Sequence, residues 1–556
     1  MKNIHQNVKV SFLGGVGEVG KNMMVLECGD DMIIIDAGIS FPSDDMPGID
    51  LVIPDFTYIE KNKNKIKAIF LTHGHEDHIG AIPYLLQDIK VPVYGSRLTC
   101  ALVENKFREH RNVKCKPIVI KPKSVIKAGV FTVEFIKVTH SISGAMGLII
   151  TTPAGIIFHT GDFKMDFTPI DGESMDLTRL SELNKKGVLL LMADSTNAEK
   201  PGYSMSEKKV GQTLAGLFAQ NRERRIIIAT FASNIHRIQQ ILDICEKNGR
   251  KVVFTGRSML NVCETASKIG ELKFNRENIT DVNSLDKYDD DKVCILCTGS
   301  QGEPNSALSR MANDEFPKIE ITNNDYVIFS SSAIPGNEKE IGEVINALYK
   351  KGASVIYEKL ADVHVSGHAY QEELKIIHAM LKPKFFIPCH GEFRHLKAHA
   401  NIAQDLGMHE RNIVIPDLGD RISISPNSIK KLGTVPAGIK LIDGMDISEA
   451  NGVVQRDRMQ LASEGICIVI LTISSKTATL TSKPDIITRG FMYSNDANND
   501  ILEDAKTLLI NTIVELDFKS KDWGTIKASI RKSLMTYFFK NLKRKPVIIP
   551  VIVETN

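Results

Sequence analysis

One short segment near the start of the chain combines several metal-binding side chains. Residues 72–78 read Thr-His-Gly-His-Glu-Asp-His and directly follow the apolar segment KAIFL. Imidazole and carboxylate groups are the ligand types that zinc prefers. A loop at the end of a strand can turn His73 and His75 one way and Asp77 and His78 the other, which serves two metals rather than one. The alternative is a solvated polar loop, but 15 histidines in 556 residues make so dense a cluster improbable.

Four further polar residues stand where apolar, strand-like segments end. His140 ends VFTVEFIKVTH, Asp162 lies in IIFHTGDF, and His390 lies in FFIPCHGE. A single histidine after a strand is usually an ordinary polar residue, but these three together supply the ligands that the cluster lacks. Asp36 ends the segment MIIID, and we expect it to support the histidine loop from behind.

The elements that must position these residues change in style along the chain. Residues 1–205 read as many short strands with turns between them, and this style returns at 351–450. Residues 206–350 alternate apolar strands with helices, which predicts an inserted α/β domain with a parallel sheet covered on both faces. Residues 451–556 combine strands with two long helices and predict a small α+β domain.

Composition excludes several classes of protein. The chain has 69 Lys and Arg against 67 Asp and Glu, a net charge of +2, which excludes a histone-like polybasic binder. The longest apolar runs are only as long as strands, so we expect no membrane span. Nine cysteines without a disulfide-like pattern, and no export signal, favour a reducing cytoplasmic setting. Cys294 and Cys297 lie in the apolar run VCILCTG and are expected to be buried strand residues rather than zinc ligands.

A glycine-rich motif near the N-terminus has the glycine spacing of a dinucleotide-binding fingerprint. Residues 15–20 match GxGxxG, and Asp36 follows at a distance that suits a dinucleotide-binding acid. That fingerprint requires a helix after the glycines. Residues 21–36 instead read as two strands joined by a turn, so we expect a glycine-rich turn beneath the metal site.

Taken in chain order, the candidate ligands resemble those of the metallo-β-lactamase superfamily. The resemblance rests on the HxHxDH pattern at 73–78 followed by His140, Asp162 and His390. It implies an αββα sandwich that binds two metal ions. It implies two ligand sets bridged by Asp162: His73, His75 and His140 for one metal, and Asp77, His78 and His390 for the other. A hydroxide between the metals would be the nucleophile.

The long interval between Asp162 and His390 narrows this resemblance, because the inserted domain fills it. This arrangement is similar to the β-CASP branch, whose members are nucleases; Asp194, His368 and His390 then match its motifs A, B and C. Longer phrases resemble the bacterial ribonuclease J family and run through the whole chain: GGVGEVGKN at 14–22, GDFKMD at 161–166, ATFASNIHR at 229–237, TGSQGEP at 298–304, HVSGHA at 364–369 and PDIITRGF at 484–491.

The resemblance implies a metal-dependent phosphodiesterase. We expect two zinc ions per subunit, with manganese or magnesium as alternatives. Paired cations stabilise both the attacking and the leaving oxygen, and the product would carry a 5′ phosphate. Asp77 and Asp194 are expected to take part in catalysis. His368 is the candidate to protonate the leaving group or to stabilise the phosphoryl oxygens; the alternative is a structural histidine in a glycine turn.

Two further features concern RNA binding. We expect Ser233, His364, Ser366, the amide of Gly367 and His368 to form a pocket for a neighbouring phosphate, which would select 5′-monophosphate ends. Residues 111–127 carry Arg111 and five lysines without an acid. This run is either a solvated face or a track for RNA.

The leading interpretation is a cytoplasmic ribonuclease with 5′-to-3′ exonuclease and endonuclease activity in RNA decay and in rRNA and mRNA maturation. Single-stranded RNA would be its substrate, and proteins of RNA decay are candidate partners. The resemblance implies that residues 451–556 assemble a homodimer or homotetramer; the alternative is that they contact RNA. The alternatives are a DNA-processing β-CASP nuclease and a non-catalytic scaffold subunit. A small-ester or thioester hydrolase would share the histidine loop but has no use for the inserted domain.

Overall fold

The computed structural model of the chain describes residues 7–43, 45–110, 112–334, 336–444, 446–449, 452–474, 477, 479–492, 496–514 and 523–555. The chain forms two compact units, which are described separately below. The larger unit comprises Met1–Ser40 and Ile53–Gly438, and the smaller comprises Phe41–Val52 and Ile439–Asn556.

Two mainly antiparallel sheets form the centre of the larger unit. The first has eight strands in the spatial order Ser428–Thr434, Asp420–Ser425, Val8–Gly14, Met23–Cys28, Asp31–Ile35, Ile66–Phe70, Val93–Gly95 and Ile118–Val119. The second has six strands in the order Phe385–Cys389, Val188–Asp194, Gly155–His159, Met146–Thr152, Phe131–Lys137 and Val125–Ala128. Short strands Val16–Gly17 and Gly391–Glu392 pair with each other.

The two sheets face each other across a common apolar core. Phe12 and Phe70 of the first sheet and Phe135 and Ile387 of the second belong to it, and all four are fully buried. The opposite face of the second sheet packs against the helices Leu177–Lys186, Gln371–Leu381 and Phe393–Asp405. The other helices of these layers are Thr57–Lys61, Glu76–Ile79, Ile82–Leu85 and Arg97–Glu109. The predicted αββα sandwich is therefore confirmed.

The inserted domain contains a five-stranded sheet in which every pairing is parallel. Its strands, in spatial order, are Lys251–Thr255, Val293–Cys297, Arg225–Ala229, Asp325–Phe329 and Ser354–Ile356. Successive residues of Arg225–Ala229 from Ile226 onward are buried, so helices cover both faces, as predicted. Those helices are Glu207–Gln220, Ile235–Lys247, Arg257–Lys268, Ala307–Ala312 and Glu338–Lys350. Cys294 and Cys297 are buried in the second strand.

The chain divides differently from the predicted boundaries in two places. The strand Ser354–Ile356 belongs to the inserted sheet, although the prediction ended that domain at residue 350. Residues 41–52 and 439–450 belong to the smaller unit, although the prediction placed both in the hydrolase domain. Residues 450 and 451, where the last boundary was predicted, lie outside the described residues. The four-part division of the chain stays a proposal.

The smaller unit has a three-stranded sheet of Asp485–Arg489, Ile466–Ser474 and Val547–Thr555. One face packs against the helices Asp496–Val514 and Trp523–Leu542. Leu480 forms an antiparallel bridge to Ile473, and the Thr481 amide donates to the Thr472 carbonyl. The unit also contains the helix Val453–Glu464 and the hairpin Ile439–Asp443 with Asp446–Glu449. Within the described part of the chain, every helix is too short or too polar to cross a membrane.

Candidate metal centre

The topology of both sheets brings polar strand ends to one edge of the sandwich. The strand Ile66–Phe70 runs parallel to Asp31–Ile35, so Asp36 and the histidine loop emerge side by side. In the second sheet, Gly155–His159, Val188–Asp194 and Phe385–Cys389 are parallel neighbours. Because parallel strands end at the same edge, Asp162, Asp194 and His390 meet there.

Three histidines form one group of candidate ligands. The Nε2 atom of His73 lies 3.0 Å from Nδ1 of His75, and Nε2 of His140 lies 3.1 Å from the same Nδ1. His73 is fully buried, and His140 is nearly so. A divalent ion about 2.0–2.1 Å from each nitrogen, as is usual for zinc, can lie between nitrogens at such separations.

A second group contains two carboxylates and two histidines. The Oδ2 atom of Asp77 lies 3.4 Å from Nε2 of His78 and 3.3 Å from Nε2 of His390. The Oδ2 atom of Asp162 lies 3.2 Å and 3.5 Å from the same two nitrogens. Asp162 Oδ2 is also 3.7 Å from Nε2 of His73, so this one oxygen faces both groups.

Hydrogen bonds on the outer side of each ring aim its other nitrogen at the centre. His78 Nδ1 donates to Asp36 Oδ2 over 2.8 Å, and His140 Nδ1 donates to the Gly367 carbonyl over 2.7 Å. Thr72 Oγ1 donates to Asp36 Oδ2 over 2.7 Å and accepts from His73 Nδ1 over 3.1 Å. Each of these rings therefore turns its Nε2 inward, the arrangement that fixes metal-binding histidines.

The protonation of these groups also suits cation binding. Burial, with the neighbouring histidines, lowers the pKa of His73 and His140 well below the ordinary value, and burial lowers the pKa of His75 to about 4. Burial disfavours the charged form of Asp162, but His390 and the other histidines hold its pKa well below the ordinary value. Neutral imidazoles around an ionised carboxylate are the protonation states that a divalent metal requires of its ligands.

The cluster also favours positive charge at its centre. Burial alone would lower the pKa of His78 and His390, but Asp162, with the carboxylates beside each ring, raises both well above the ordinary value. The seven residues therefore fit divalent metal ions by donor type, orientation and charge. His73, His75 and His140 would hold one ion, and Asp77, His78 and His390 would hold a second, with Asp162 between them.

His368 and Asp194 form a pair beside this centre. The Nδ1 atom of His368 lies 2.7 Å from Asp194 Oδ2 and 4.0 Å from Asp162 Oδ2. Burial alone would lower the pKa of His368, but Asp194 and Asp162 together raise it above the ordinary value. Asp194 also accepts from Thr196 Oγ1, which contacts Nδ1 of His390. The pair thus connects His368 to the candidate ligands Asp162 and His390.

The predicted phosphate-binding residues lie where the segment 364–368 meets the inserted domain. Ser366 Oγ accepts from Asn197 Nδ2 over 2.6 Å, and His364 Nδ1 accepts from Arg237 Nη1 over 3.0 Å. Ser233 is half-buried and directly precedes the capping residue of the helix that carries Arg237. The structure thus connects His364 to the helix that follows Ser233.

Two residues of the site escaped the sequence analysis. Asn22 Nδ2 lies 3.1 Å from Asp77 Oδ2 and 3.0 Å from His78 Nε2, and its backbone amide donates to the Asp77 carbonyl. Asn22 is the last residue of the motif GGVGEVGKN, and this motif is the sequence feature from which its role could have been inferred. Glu373 is fully buried and accepts from the amides of Met165, Ser204 and Tyr370. Nothing in the sequence distinguishes it from a solvated acid in the first turn of a helix.

Other expectations concern the neighbourhood of the site. The GxGxxG segment leads into the antiparallel hairpin Met23–Cys28 and Asp31–Ile35, so no helix follows the glycines. Asp36 has a backbone φ of 58°, and its carboxylate supports Thr72 and His78. The five lysines of the basic run are exposed, whereas Arg111 lies outside the described residues.

Four protein-family descriptions match successive parts of the chain. Residues 16–181 match "Metallo-beta-lactamase superfamily", and residues 223–348 match "Ribonuclease J, beta-CASP domain". Residues 353–416 match "Zn-dependent metallo-hydrolase RNA specificity domain", and residues 453–555 match "Ribonuclease J C-terminal domain". These matches follow the order of the elements described above.

Relatives and one solved structure agree with these matches. The chain is 40% identical over 553 residues to "Ribonuclease J2" of Bacillus subtilis, covering 99% of both chains. It is 39% identical over 551 residues to "Ribonuclease J 1" of Streptococcus pyogenes, covering 98% of this chain and 97% of that one. A crystal structure of a protein of unknown function from Enterococcus faecalis shares the fold, with a TM-score of 0.54 and 20% identity over 75% of this chain and 100% of that one. The chain therefore belongs to the ribonuclease J family.

Proposed function

We propose that this chain is a two-metal ribonuclease that hydrolyses single-stranded RNA from 5′-monophosphate ends and also cuts internally. The observation that carries the proposal is the pair of ligand groups that meet at Asp162 Oδ2, with His368 beside them. The names of the relatives supply the substrate class. Two zinc ions are the proposed cofactors because imidazoles dominate the donor set, and manganese or magnesium are the alternatives.

The chain's own residues divide the chemistry between them. When bound, divalent ions supply Lewis acidity for the phosphoryl oxygens and lower the pKa of water. Asp162, Asp77 and the five histidines would hold these ions in place. His368 is held by Asp194 on Nδ1, and this carboxylate favours the protonated ring, so we assign it the proton for the leaving 3′ oxygen.

The most direct test joins metal analysis to cleavage. We expect purified chain to contain about two divalent ions and to cleave 5′-monophosphate RNA, and His75→Ala to lose metal and activity together. Cleavage by a metal-free His75→Ala protein at the wild-type rate would contradict the proposal. A matched DNA of the same sequence separates RNA from DNA processing, since the 2′-hydroxyl is the feature that distinguishes them. Preferential cleavage of the DNA would favour the alternative nuclease.

Preference for 5′ ends is assigned to the predicted phosphate pocket. Ser233, His364, Ser366, the Gly367 amide and His368 would bind the terminal phosphate and place the next phosphodiester at the metals. We expect Ser233→Ala and His364→Ala to weaken exonuclease action more than internal cutting. Equal loss of both activities would remove the pocket from the proposal.

Assembly into a homodimer or homotetramer is assigned to the smaller unit. On one face of its sheet, four apolar side chains are 39–45% exposed: Ile549, Val551, Val553 and Ile487. The other face packs against the helices of the unit. An apolar face of this kind is a usual site of association. Sedimentation of Val551→Glu should show a smaller particle than the wild type.

We also propose that the protein acts in the cytoplasm, in RNA decay and maturation. The nine cysteines, which are all free thiols, suit a reducing compartment.

A further inference from the structure

Arg237 is the largest fully buried side chain in the described part of the protein. It lies on the helix Ile235–Lys247 of the inserted domain. Its Nε and Nη2 atoms donate to the two carboxylate oxygens of Glu207 over 2.7 Å and 2.8 Å. Its Nη1 atom lies 2.5 Å from the Ser330 carbonyl and 3.0 Å from Nδ1 of His364. The guanidinium is therefore fixed on three sides.

This contact restricts the protonation of His364. A guanidinium only donates hydrogen bonds and stays charged at any pH at which proteins fold. Nδ1 of His364 must therefore be the acceptor, and the ring proton of the neutral imidazole must lie on Nε2. Burial, with the positive charges of Arg237, Lys164 and Lys200, holds the pKa of His364 well below its ordinary value, so the ring is neutral at pH 7.

We propose that Arg237 is a positioning residue that holds His364 in the Nε2–H tautomer, so that this N–H donates to a terminal phosphate oxygen of the RNA. The inference rests on the proposed function, because it explains how that pocket recognises its ligand. The terminal phosphate would then be recognised by uncharged hydrogen-bond donors such as the His364 Nε2–H group. The positive charge of Arg237 would lie behind the His364 ring.

A second observation, at the start of the helix that carries Arg237, also indicates a ligand with hydrogen-bond acceptors. Asn234 caps the helix that carries Arg237, and its Oδ1 accepts from the Arg237 amide. Its Nδ2 is buried and has no hydrogen-bond partner in the described part of the chain. A buried donor without a partner is costly, and a phosphate oxygen would satisfy it. Asn234 thus adds a donor without a partner at the start of the helix that carries Arg237.

The first test replaces the guanidinium and keeps its charge. A lysine ammonium cannot grip Glu207 with two bonds and also reach Ser330 and His364. The readout is the ratio of cleavage rates of 5′-monophosphate and 5′-hydroxyl RNA at subsaturating substrate. We expect Arg237→Lys to lower this ratio about 10- to 100-fold, as when one hydrogen bond to a charged group is lost.

The matched control is another buried arginine of the same domain. Arg250 is 3% exposed and donates to the carbonyls of Asn221, Arg222, Arg224 and Val293. Arg250→Lys should slow cleavage of both substrates alike if stability alone matters. An unchanged ratio in Arg237→Lys, or an equal fall in both variants, would overturn the proposal.

The second test addresses the tautomer without touching Arg237. A glutamine amide nitrogen reaches the position of imidazole Nε2, whereas the shorter asparagine reaches only that of Nδ1. We expect His364→Gln to keep the 5′-monophosphate preference within about tenfold of the wild type and His364→Asn to lose it as His364→Ala does. The opposite order would overturn the proposal. Wild-type protein that cleaves RNA without any 5′ preference would refute the pocket itself, and wild-type protein that cleaves no RNA would refute the proposed function.

Discussion

Replacement of Asp36 by asparagine should weaken metal binding at one of the two proposed sites and leave the fold unchanged. Asp36 Oδ1 accepts from the Thr72 amide over 2.8 Å, and Oδ2 accepts from Thr72 Oγ1 and His78 Nδ1 over 2.7 Å and 2.8 Å. Asparagine tolerates the positive φ of 58° at this position, so the backbone need not move. With its oxygen toward the Thr72 amide, the new Nδ2 group faces two donors.

The structure gives the size of the effect. Two hydrogen bonds to a charged acceptor are lost, each contributing about 1.5–3 kcal/mol. His78 can escape the clash by accepting from the new amide on Nδ1, but its proton then lies on Nε2, the atom that should bind metal. Loss of such an orienting partner typically lowers metal affinity about 10- to 100-fold. We expect this loss at the site of Asp77, His78 and His390.

Equilibrium dialysis against buffered zinc, followed by elemental analysis, measures the affinity directly. Asp31→Asn is the matched control, because Asp31 begins the same strand but pairs with Lys67 and the Val130 amide instead. The control should bind zinc with the stoichiometry and affinity of the wild type. Two ions bound by Asp36→Asn with affinities within threefold of the wild type would refute the reasoning.

Three further changes test other parts of the structure. Gly367→Ala would place a Cβ 2.7 Å from the His140 ring, so we expect lower metal content by elemental analysis, whereas Gly342→Ala, which meets open space, should keep it. Glu373→Gln removes a buried carboxylate from several donors and should cost about 2–3 kcal/mol in urea unfolding; a cost below 0.5 kcal/mol would contradict its role. Burial opposes ionisation of Glu27, but its hydrogen-bond partners hold its pKa below the ordinary 4.5. Its contribution is therefore complete above pH 4.5 and lost as pH falls through the folded value, so the acid loss of stability should be smaller in Glu27→Gln.

The residues that could be identified from the sequence are those whose chemistry depends on residue type and local spacing. The histidine loop at 73–78 and the strand ends at His140, Asp162 and His390 could be assigned because each follows an apolar strand. The parallel sheet of the inserted domain could also be predicted, because the alternation of apolar strands with helices is a local pattern. The fold class followed from the same patterns.

Residues that act through distant partners could not be predicted in this way. Arg237 reads as a surface charge on an amphipathic helix until Glu207, Ser330 and His364 are seen around it. Asn22 acquires its meaning from Asp77, more than fifty residues away. Assignment of residues 41–52 to the smaller unit likewise depends on tertiary packing, for which Ile49 against Leu441 is an example.

The order of strands in the first sheet also has a consequence for synthesis. The strand Val8–Gly14 pairs with Asp420–Ser425. One of the first strands to be synthesised therefore has no partner on this edge until one of the last strands of the sheet has been made. At roughly 5–20 residues per second, translation needs about 20–80 s to proceed from Val8 to Asp420. During that interval the nascent chain has an unpaired strand edge and an incomplete ligand set. The nuclease centre is consequently assembled late in translation, after the inserted domain has emerged whole, so a ribosome-bound chain stalled before His390 carries no complete active site beside the RNA that encodes it.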